Sequence, residues 1–181
     1  MIKRIFDIFF SFLAILFSGI FILIFWIFAS IDTRSNGLFV QKRIGQFGKI
    51  FKIFKLKSIQ NNSVEISKFG KFLRKSKIDE LPQLWNVLIG EMSIVGFRPD
   101  IEGYYDKLSD QNRKILDLKP GLTSLASIKY ADEDDILANQ KNPLQYNDEI
   151  IFPDKVKMNL EYVYNQSFVL DLKIIYKTIF R

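Results

Sequence analysis

From Ile8 to Ile31 the chain runs for 24 residues without a charge, and only Ser11, Ser18, Gly19 and Ser30 interrupt the apolar residues. As one helix, at about 1.5 Å per residue, this stretch is about 36 Å long, enough to cross a hydrocarbon core of about 30 Å. It is longer than the apolar region of a secretory signal peptide, and no small-residue cleavage site follows it. Its length and all-round hydrophobicity also argue against a buried core helix. The expectation is a membrane-embedded N-terminal segment. Lys3 and Arg4 precede it, and Arg34, Lys42 and Arg43 follow it. Both flanks are positive, so the positive-inside tendency draws both toward the cytoplasm. Ser18-Gly19 lies near the middle, where Gly weakens a helix and Ser offers the backbone another hydrogen-bond partner. Two geometries stay open: a re-entrant hairpin that enters and leaves on one face, and a plain spanning helix.

The 181 residues suit one domain of ordinary size. At 48% hydrophobic and 15% aromatic the chain can bury a core, which excludes a disordered or low-complexity polymer. It has no Cys and no His. Disulfides, thiolate metal sites, Ser-His-Asp and Cys-His devices and His-based zinc chemistry are therefore excluded. Any catalysis must use carboxylates, Lys, Arg, Tyr or a metal held by oxygen. The net charge of +6 points to an anionic partner.

That charge is concentrated. Between Lys42 and Lys77 there are eleven Lys and Arg against one acid, Glu65, so the remainder of the chain is net −4. A basic block directly after a membrane segment is attracted to anionic lipid at about 1 kcal/mol per cation. Within it, residues 50–57 alternate: Phe51, Ile53 and Leu56 interleave with Lys52, Lys55 and Lys57. This predicts a short strand with one wet or ligand-facing side. No GxGxxG or Walker-type loop is present. Nucleic acid is not the expected partner, because the aromatics fall on apolar faces.

The chemistry concentrates between Phe69 and Pro99. Asp79 and Glu80 stand side by side, with Pro82 two positions on. Pro is tolerated in the first turn of a helix, so the pattern predicts a helix beginning near Asp79. Leu81, Leu84, Trp85 and Leu88 follow at helical spacing, and Gly90 is a stop signal. Asp79 then sits at or beside an N-cap, where free N–H groups favour a carboxylate and a nearby phosphate. A simple structural cap, or a Ser76–Asp79 capping box, explains the same residues. Arg74 and Lys75 upstream and Arg98 downstream favour phosphoryl chemistry at a carboxylate nucleophile. Mg²⁺ on a carboxylate and substrate phosphates would complete it without histidine.

These residues bring the chain close to a known family. The runs Phe39-Val-Gln41-Lys-Arg43-Ile-Gly45, Phe51–Lys57, Leu73-Arg74, Asp79–Leu88, Gly90–Gly96, Arg98-Pro99 and Lys119–Thr123 occur in order over nearly the whole chain. The sequence resembles the monotopic phosphoglycosyl transferases, bacterial sugar transferases that prime glycan assembly on a polyprenyl phosphate. The length resembles the small, catalytic-domain-only members. The resemblance implies a carboxylate, at Asp79, that attacks the sugar-linked phosphate of a UDP-sugar. UMP leaves, and polyprenyl phosphate then takes the phospho-sugar from the enzyme. It further implies Mg²⁺ at Asp79, an assisting Glu80, a polyprenyl-phosphate contact at Arg74, a nucleotide-diphosphate contact at Arg98 and a phosphate-cluster role for Lys57. It also implies a re-entrant N-terminal helix at the bacterial inner membrane, with the active site on the cytoplasmic face. Three motifs depart from the family pattern: Ser18-Gly19 replaces Ser-Pro, Phe97 precedes Arg98 where Pro is usual, and Pro120–Ser127 diverges after Thr123.

Beyond Gly121 the chain turns acidic, with seven acids and one Lys from Ala131 to Asp154. Asp132–Asp135 reads as a solvated helix start, since consecutive acids cannot all face one ion. Pro143 and Pro153 mark loops, and Asp154–Arg181 predicts amphipathic helices resting on the core or the membrane. The expected fold is α+β, mainly helical. It comprises a re-entrant membrane helix over residues 1–34 and a compact catalytic domain over 35–181, with a short β element and amphipathic surface helices. The rival functions are a Mg-dependent phosphodiesterase and a non-catalytic adaptor that binds anionic lipid through residues 42–77.

Overall fold

The structure, a computed structural model, describes residues 2–61 and 65–180. Residues 62–64 of the basic block and the terminal Arg181 lie outside them. The described chain is mainly helical, as expected, and has two small sheets where one short β element was expected. It divides into two compact units: Met1–Arg43 with Ile50–Met92, and Ile44–Lys49 with Ser93–Arg181.

The first unit is built along helix α1, Ile2–Thr33, which is α-helical throughout, including Ser18-Gly19. Ser18 Oγ donates to Ala14 O, a local bond that leaves the helical ladder in place. By length and composition this helix can cross a membrane. A stripe through Arg4, Asp7, Ser11, Ile15, Ser18, Ile22, Phe25, Ala29 and Thr33 is buried or half-buried, at the three- to four-residue spacing of one helix face. The opposite face is exposed and apolar, with Phe17 at 73% and Leu16 at 65%. So large an apolar face is out of place in water.

The covered stripe packs on strand β2, Ile50–Leu56, and on helices α2, Lys68–Lys75, and α3, Gln83–Ile89. Near one end the Arg4 guanidinium donates to Val87 O at 2.6 Å and Leu88 O at 2.8 Å. It thereby caps the carbonyl end of α3, where the helix dipole favours a cation. Near the other end Ser67 Oγ donates to Asp32 at 2.6 Å, and Phe25 stacks on Phe69 and meets Phe72 at a tilt. Ala29, Leu56 and Leu73 close this part of the core.

Strand β1, Leu38–Ile44, pairs with β2. The alternation in β2 is incomplete. Ile53 and Leu56 are both buried although they lie three apart, and Lys55 is half-buried. The strand is covered on both sides, so the expected wet face is narrower than the alternation suggests. Asn86, fully buried in α3, ties that helix to β2. Its Nδ2 donates to Lys52 O and to Glu91 Oε2, both at 2.7 Å, and its Oδ1 accepts from Phe54 N.

In the second unit, strands β3, Ser93–Val95, and β4, Gly121–Thr123, run parallel with Ser93 opposite Gly121 and Val95 opposite Thr123. Gly96 and Gly121 let the two backbones meet: a Cβ on Gly121 would lie 2.1 Å from Gly96 N. The core gathers Ile44, Phe97, Tyr105, Ile115, Leu116 and Val156. Asn159 Nδ2 donates to the Tyr105 hydroxyl at 2.9 Å, and burial pushes that phenol above its ordinary range. Helices α4, Leu125–Lys129, α5, Glu133–Ala138, and α6, Pro143–Tyr146, lead through a π-helical stretch into α7, Phe152–Asn165, and α8, Phe168–Ile179. The acids Glu133–Asp135 do open α5. Pro143 and Pro153, expected in loops, instead occupy the first turns of α6 and α7; at the start of α6 a missing N–H costs no helical bond, and Pro153 directly follows the π-helical stretch Asn147–Ile151. Asp154 accepts from Lys129 and Tyr130, both at 2.7 Å, and these bonds hold its carboxyl below the usual range.

Candidate active site

The Asp79-Glu80 turn lies between two short helices of the first unit. Helix α2 ends with Arg74 and Lys75 in its last turn, and Ser76 caps that end by donating to Phe72 O at 2.7 Å. Ser76 therefore closes the preceding helix and does not form a capping box with Asp79. Lys77 then takes a left-handed conformation, φ 57°, which a side chain adopts at a cost of about 1–2 kcal/mol. Ile78–Glu80 form a 3₁₀ turn, and α-helix begins only at Gln83, after Pro82. The expected helix start at Asp79 is thus four residues early. Pro82 has no N–H to give Ile78 O, so the turn closes with shorter bonds, Glu80 N to Lys77 O and Leu81 N to Ile78 O. Gly90 ends α3 in a left-handed conformation, as a stop signal should.

Asp79 is buried, at 8% exposure. Glu80 is largely buried and ion-paired to Lys55 of β2, with Nζ 3.2 Å from Oε1. Shielding from water strengthens the attraction within such a pair over that in a surface one, against a larger cost of desolvation. Lys55 is the cation that sequence reasoning missed. The strand pattern put Lys55 and Lys57 on the same side, and the resemblance pointed to Lys57. Lys57 Nζ instead binds Ser35 Oγ at 2.7 Å and Asn61 Oδ1 at 2.6 Å. Arg74 Nε donates to Ser58 Oγ at 2.9 Å. Arg98 is a half-buried loop residue of the second unit, after β3. Gln83 was also missed. It is buried at 3% exposure, and its Nε2 finds no hydrogen-bond partner among the described residues. A buried donor without a partner costs about 1–3 kcal/mol, which an anionic ligand can recover.

Beside the turn lies an apolar groove of about 390 Å³. Ile15, Gly19 and Ile22 of α1 form one wall, and Leu81, Pro82 and Trp85 form the other. A Cβ on Gly19 would meet nothing within 4 Å, so the glycine keeps the groove open.

The donor set at the turn can be tested against a metal. No group of three or more Asp and Glu that could hold an ion occurs among the described residues. Mg²⁺ keeps several waters and binds through one or two carboxylates together with substrate phosphates. Asp79, with Glu80 engaged by Lys55, fits a metal shared with a phosphate and does not fit a cage made by protein alone.

Fold and site together describe a chain with one helix long and apolar enough to cross a membrane and, packed in the same unit, a buried carboxylate turn beside a lysine. The chain belongs to the bacterial sugar transferase family, whose model matches residues 1–181. It is 32% identical over 179 residues to the galactosyl transferase CpsE of Streptococcus agalactiae, a match covering 84% of this chain and 36% of that protein. It is 33% identical over 174 residues to a UDP-glucose:undecaprenyl-phosphate glucose-1-phosphate transferase of Klebsiella pneumoniae, covering 84% of this chain and 34% of that protein. The chain spans about a third of the length of these two relatives. The exopolysaccharide production protein PSS of Rhizobium leguminosarum is 30% identical over 197 residues, covering 98% of this chain and 93% of that protein.

Proposed function

We propose that the chain transfers a phospho-sugar from a UDP-sugar to a polyprenyl phosphate such as undecaprenyl phosphate, with Asp79 as nucleophile. One observation carries the proposal: a buried aspartate, beside a Lys55-paired glutamate, in a turn that opens on an apolar groove against α1. The names of the relatives support the reaction class. A carboxylate oxygen of Asp79 attacks the phosphorus that carries the sugar. The bond to the UMP oxygen breaks, UMP departs with that electron pair, and an acyl phosphate to the sugar forms on Asp79. An oxygen of polyprenyl phosphate then attacks the same phosphorus and expels the Asp79 carboxylate, giving polyprenyl diphosphate sugar. No histidine is needed, because each leaving group is itself a stable anion.

Mg²⁺ held by Asp79 and the diphosphate would neutralise charge on the donor. The Lys55–Glu80 pair fixes Glu80 beside the nucleophile, ready to orient the acceptor phosphate. Arg74 is assigned to the acceptor phosphate, Arg98 to the nucleotide diphosphate and Lys57 to a supporting cationic role. Gln83 Nε2 adds a donor for a phosphoryl oxygen. The groove would take the first isoprene units of the acceptor. Gly19→Leu should fill it, raising the acceptor KM about tenfold or more while leaving the first half-reaction, UMP release coupled to adduct formation, nearly unchanged. Equal loss in both half-reactions would remove the groove from acceptor binding.

We further propose that residues 1–34 are re-entrant and that the site faces the cytoplasm at the bacterial inner membrane. The contacts of Arg4 with α3 and of Asp32 with Ser67 support this, since both ends of the helix are held by one compact unit. The native chain has no Cys, so single cysteines near residue 2 and in the body can be labelled selectively. Labelling from the same side is expected, and labelling from opposite sides would establish a spanning helix. The reaction is tested by UMP release from purified protein with Mg²⁺, undecaprenyl phosphate and a panel of UDP-sugars. Release that persists without the lipid, at the same rate, would favour the phosphodiesterase. No release from any donor would favour the adaptor.

A further inference from the structure

Asn86 is fully buried in the middle of α3, where an apolar side chain would have no amide to satisfy. Its amide is bonded on both atoms: Nδ2 donates to Lys52 O and Glu91 Oε2, and Oδ1 accepts from Phe54 N. An ionised carboxylate and a peptide carbonyl only accept, so these partners decide which way round the amide sits. Lys52 O and Phe54 N point to the same edge of β2, on either side of Ile53. They are the two atoms that one residue of a parallel neighbouring strand would bind. Among the described residues β1 is the one strand paired with β2. Asn86 thus holds part of the other edge in place of a strand.

Pairing with β1 sets the height of β2 against β1 and leaves open its height against α3. The buried Ile53 and Leu56 oppose a slide by a whole two-residue repeat, which would drive Lys55 into the place of Ile53. Apolar contacts are non-directional and tolerate smaller slides. The amide does not, because a small slide strips it of both partners in β2 while it stays buried. The ion pair of Lys55 with Glu80, at 3.2 Å, is just as sensitive, being lost well within the rise of one residue, about 3.3 Å. The two ends of that pair lie beside the elements that Asn86 joins. Phe54 is the chain neighbour of Lys55, and α3 follows the Asp79-Glu80 turn after Leu81 and Pro82.

We propose that Asn86, oriented by Glu91, is a positioning residue for the transfer step. It holds β2 against α3 at the height where Lys55 reaches Glu80. The inference rests on the proposed reaction, in which Glu80 orients the acceptor phosphate, and it assigns to Asn86 the setting of that geometry through Lys55.

Two readouts test this, one of them independent of turnover. Limited acetylation of the full chain in detergent by acetic anhydride, read by peptide mass spectrometry, measures how accessible each lysine amine is. Lys68 and Lys71, exposed on α2, serve as references. In Asn86→Ala, acetylation of Lys55 should rise about fivefold or more, while the references stay within about twofold. In the transferase assay the same variant should lose about 10- to 100-fold in transfer to undecaprenyl phosphate, with adduct formation on Asp79 within about threefold of wild type. In a Lys55→Ala background the substitution should cost less than about threefold further, because the group it positions is gone. Glu91→Ala should move both readouts the same way by a smaller factor. Glu91→Gln, whose side-chain oxygen still accepts from Asn86, should return them close to wild type. This second pair of variants decides the matter if Asn86→Ala does not fold. Unchanged acetylation of Lys55 in the folded variants would overturn the inference. Equal loss in both half-reactions, or losses that simply multiply with Lys55→Ala, would also overturn it, since each marks a general structural role. Wild-type protein that releases no UMP from any donor would overturn the proposed reaction instead, and acetylation of Lys55 would still decide whether Asn86 places that lysine.

Discussion

Asp79→Asn should reduce UMP release by a factor of about 10³ or more while the protein keeps its thermal unfolding midpoint within a few degrees. The two side chains have the same shape, so the buried site at 8% exposure is filled as before. What changes is the nucleophile. An amide oxygen is a far poorer attacking group than a carboxylate, and it cannot form an acyl phosphate that reverts to a stable anion. Wild-type protein given a UDP-sugar without acceptor should gain the mass of one phospho-sugar on the peptide containing Asp79, and the variant should gain none. An adduct that still forms on Asp79→Asn, or undiminished turnover, would move the nucleophile elsewhere. Glu80→Gln removes a positioning charge and leaves the nucleophile, so its loss should be smaller, about 10- to 100-fold. It should be accompanied by altered dependence on polyprenyl phosphate, because a neutral amide at position 80 holds the Lys55 ammonium less firmly than the carboxylate does.

How much of this could be read along the chain depends on what each residue answers to. The apolar run Ile8–Ile31 needs no partner to declare itself, and it became the long helix α1. The carboxylate pair was equally visible, because it stands directly before a helix that Pro82 opens and Gly90 ends by local rules. The finer geometry was not local. Pro82 removes one donor, and that loss turns the residues before it from α to 3₁₀. Lys55 and Lys57 are equivalent in a period-two pattern, and only the packing of β2 against the Asp79-Glu80 turn decides that Lys55 reaches Glu80. Arg4 reads as a membrane-flank cation, yet it caps α3 from more than eighty residues away in sequence. Asn86 and Gln83 carry no signal in a lone sequence, because a buried amide in an apolar helix is recognised only by what surrounds it. Pro143 and Pro153 show the limit of punctuation rules, since a proline that reads as a loop can equally sit in the first turn of a helix.

Gly121→Ala should unfold the second unit or lower its stability by about 3 kcal/mol or more, the upper range for overpacking a rigid site. The added methyl would lie 2.1 Å from Gly96 N and 2.6 Å from both Gly96 Cα and Gly96 O. These are backbone atoms, so no side-chain rotation relieves the clash. The only escape is to separate β3 from β4. That would stretch the bonds from Ser93 N to Pro120 O, Gly96 N to Thr123 O and Gly121 N to Phe97 O, now 2.8, 3.0 and 2.8 Å. Gly96→Ala meets the same wall from the other strand, at 2.3 Å from Lys119 O, and should behave alike. Gly19→Ala is the contrasting case. Its new methyl has nothing within 4 Å, and alanine is the better helix former by about 1 kcal/mol. Thermal unfolding in detergent should therefore rank Gly19→Ala at or above wild type and both strand variants well below it. A Gly121→Ala protein as stable as wild type would mean that β3 and β4 do not pair in the register of Ser93 with Gly121. The loop that carries Arg98 between these strands would then need a different anchor.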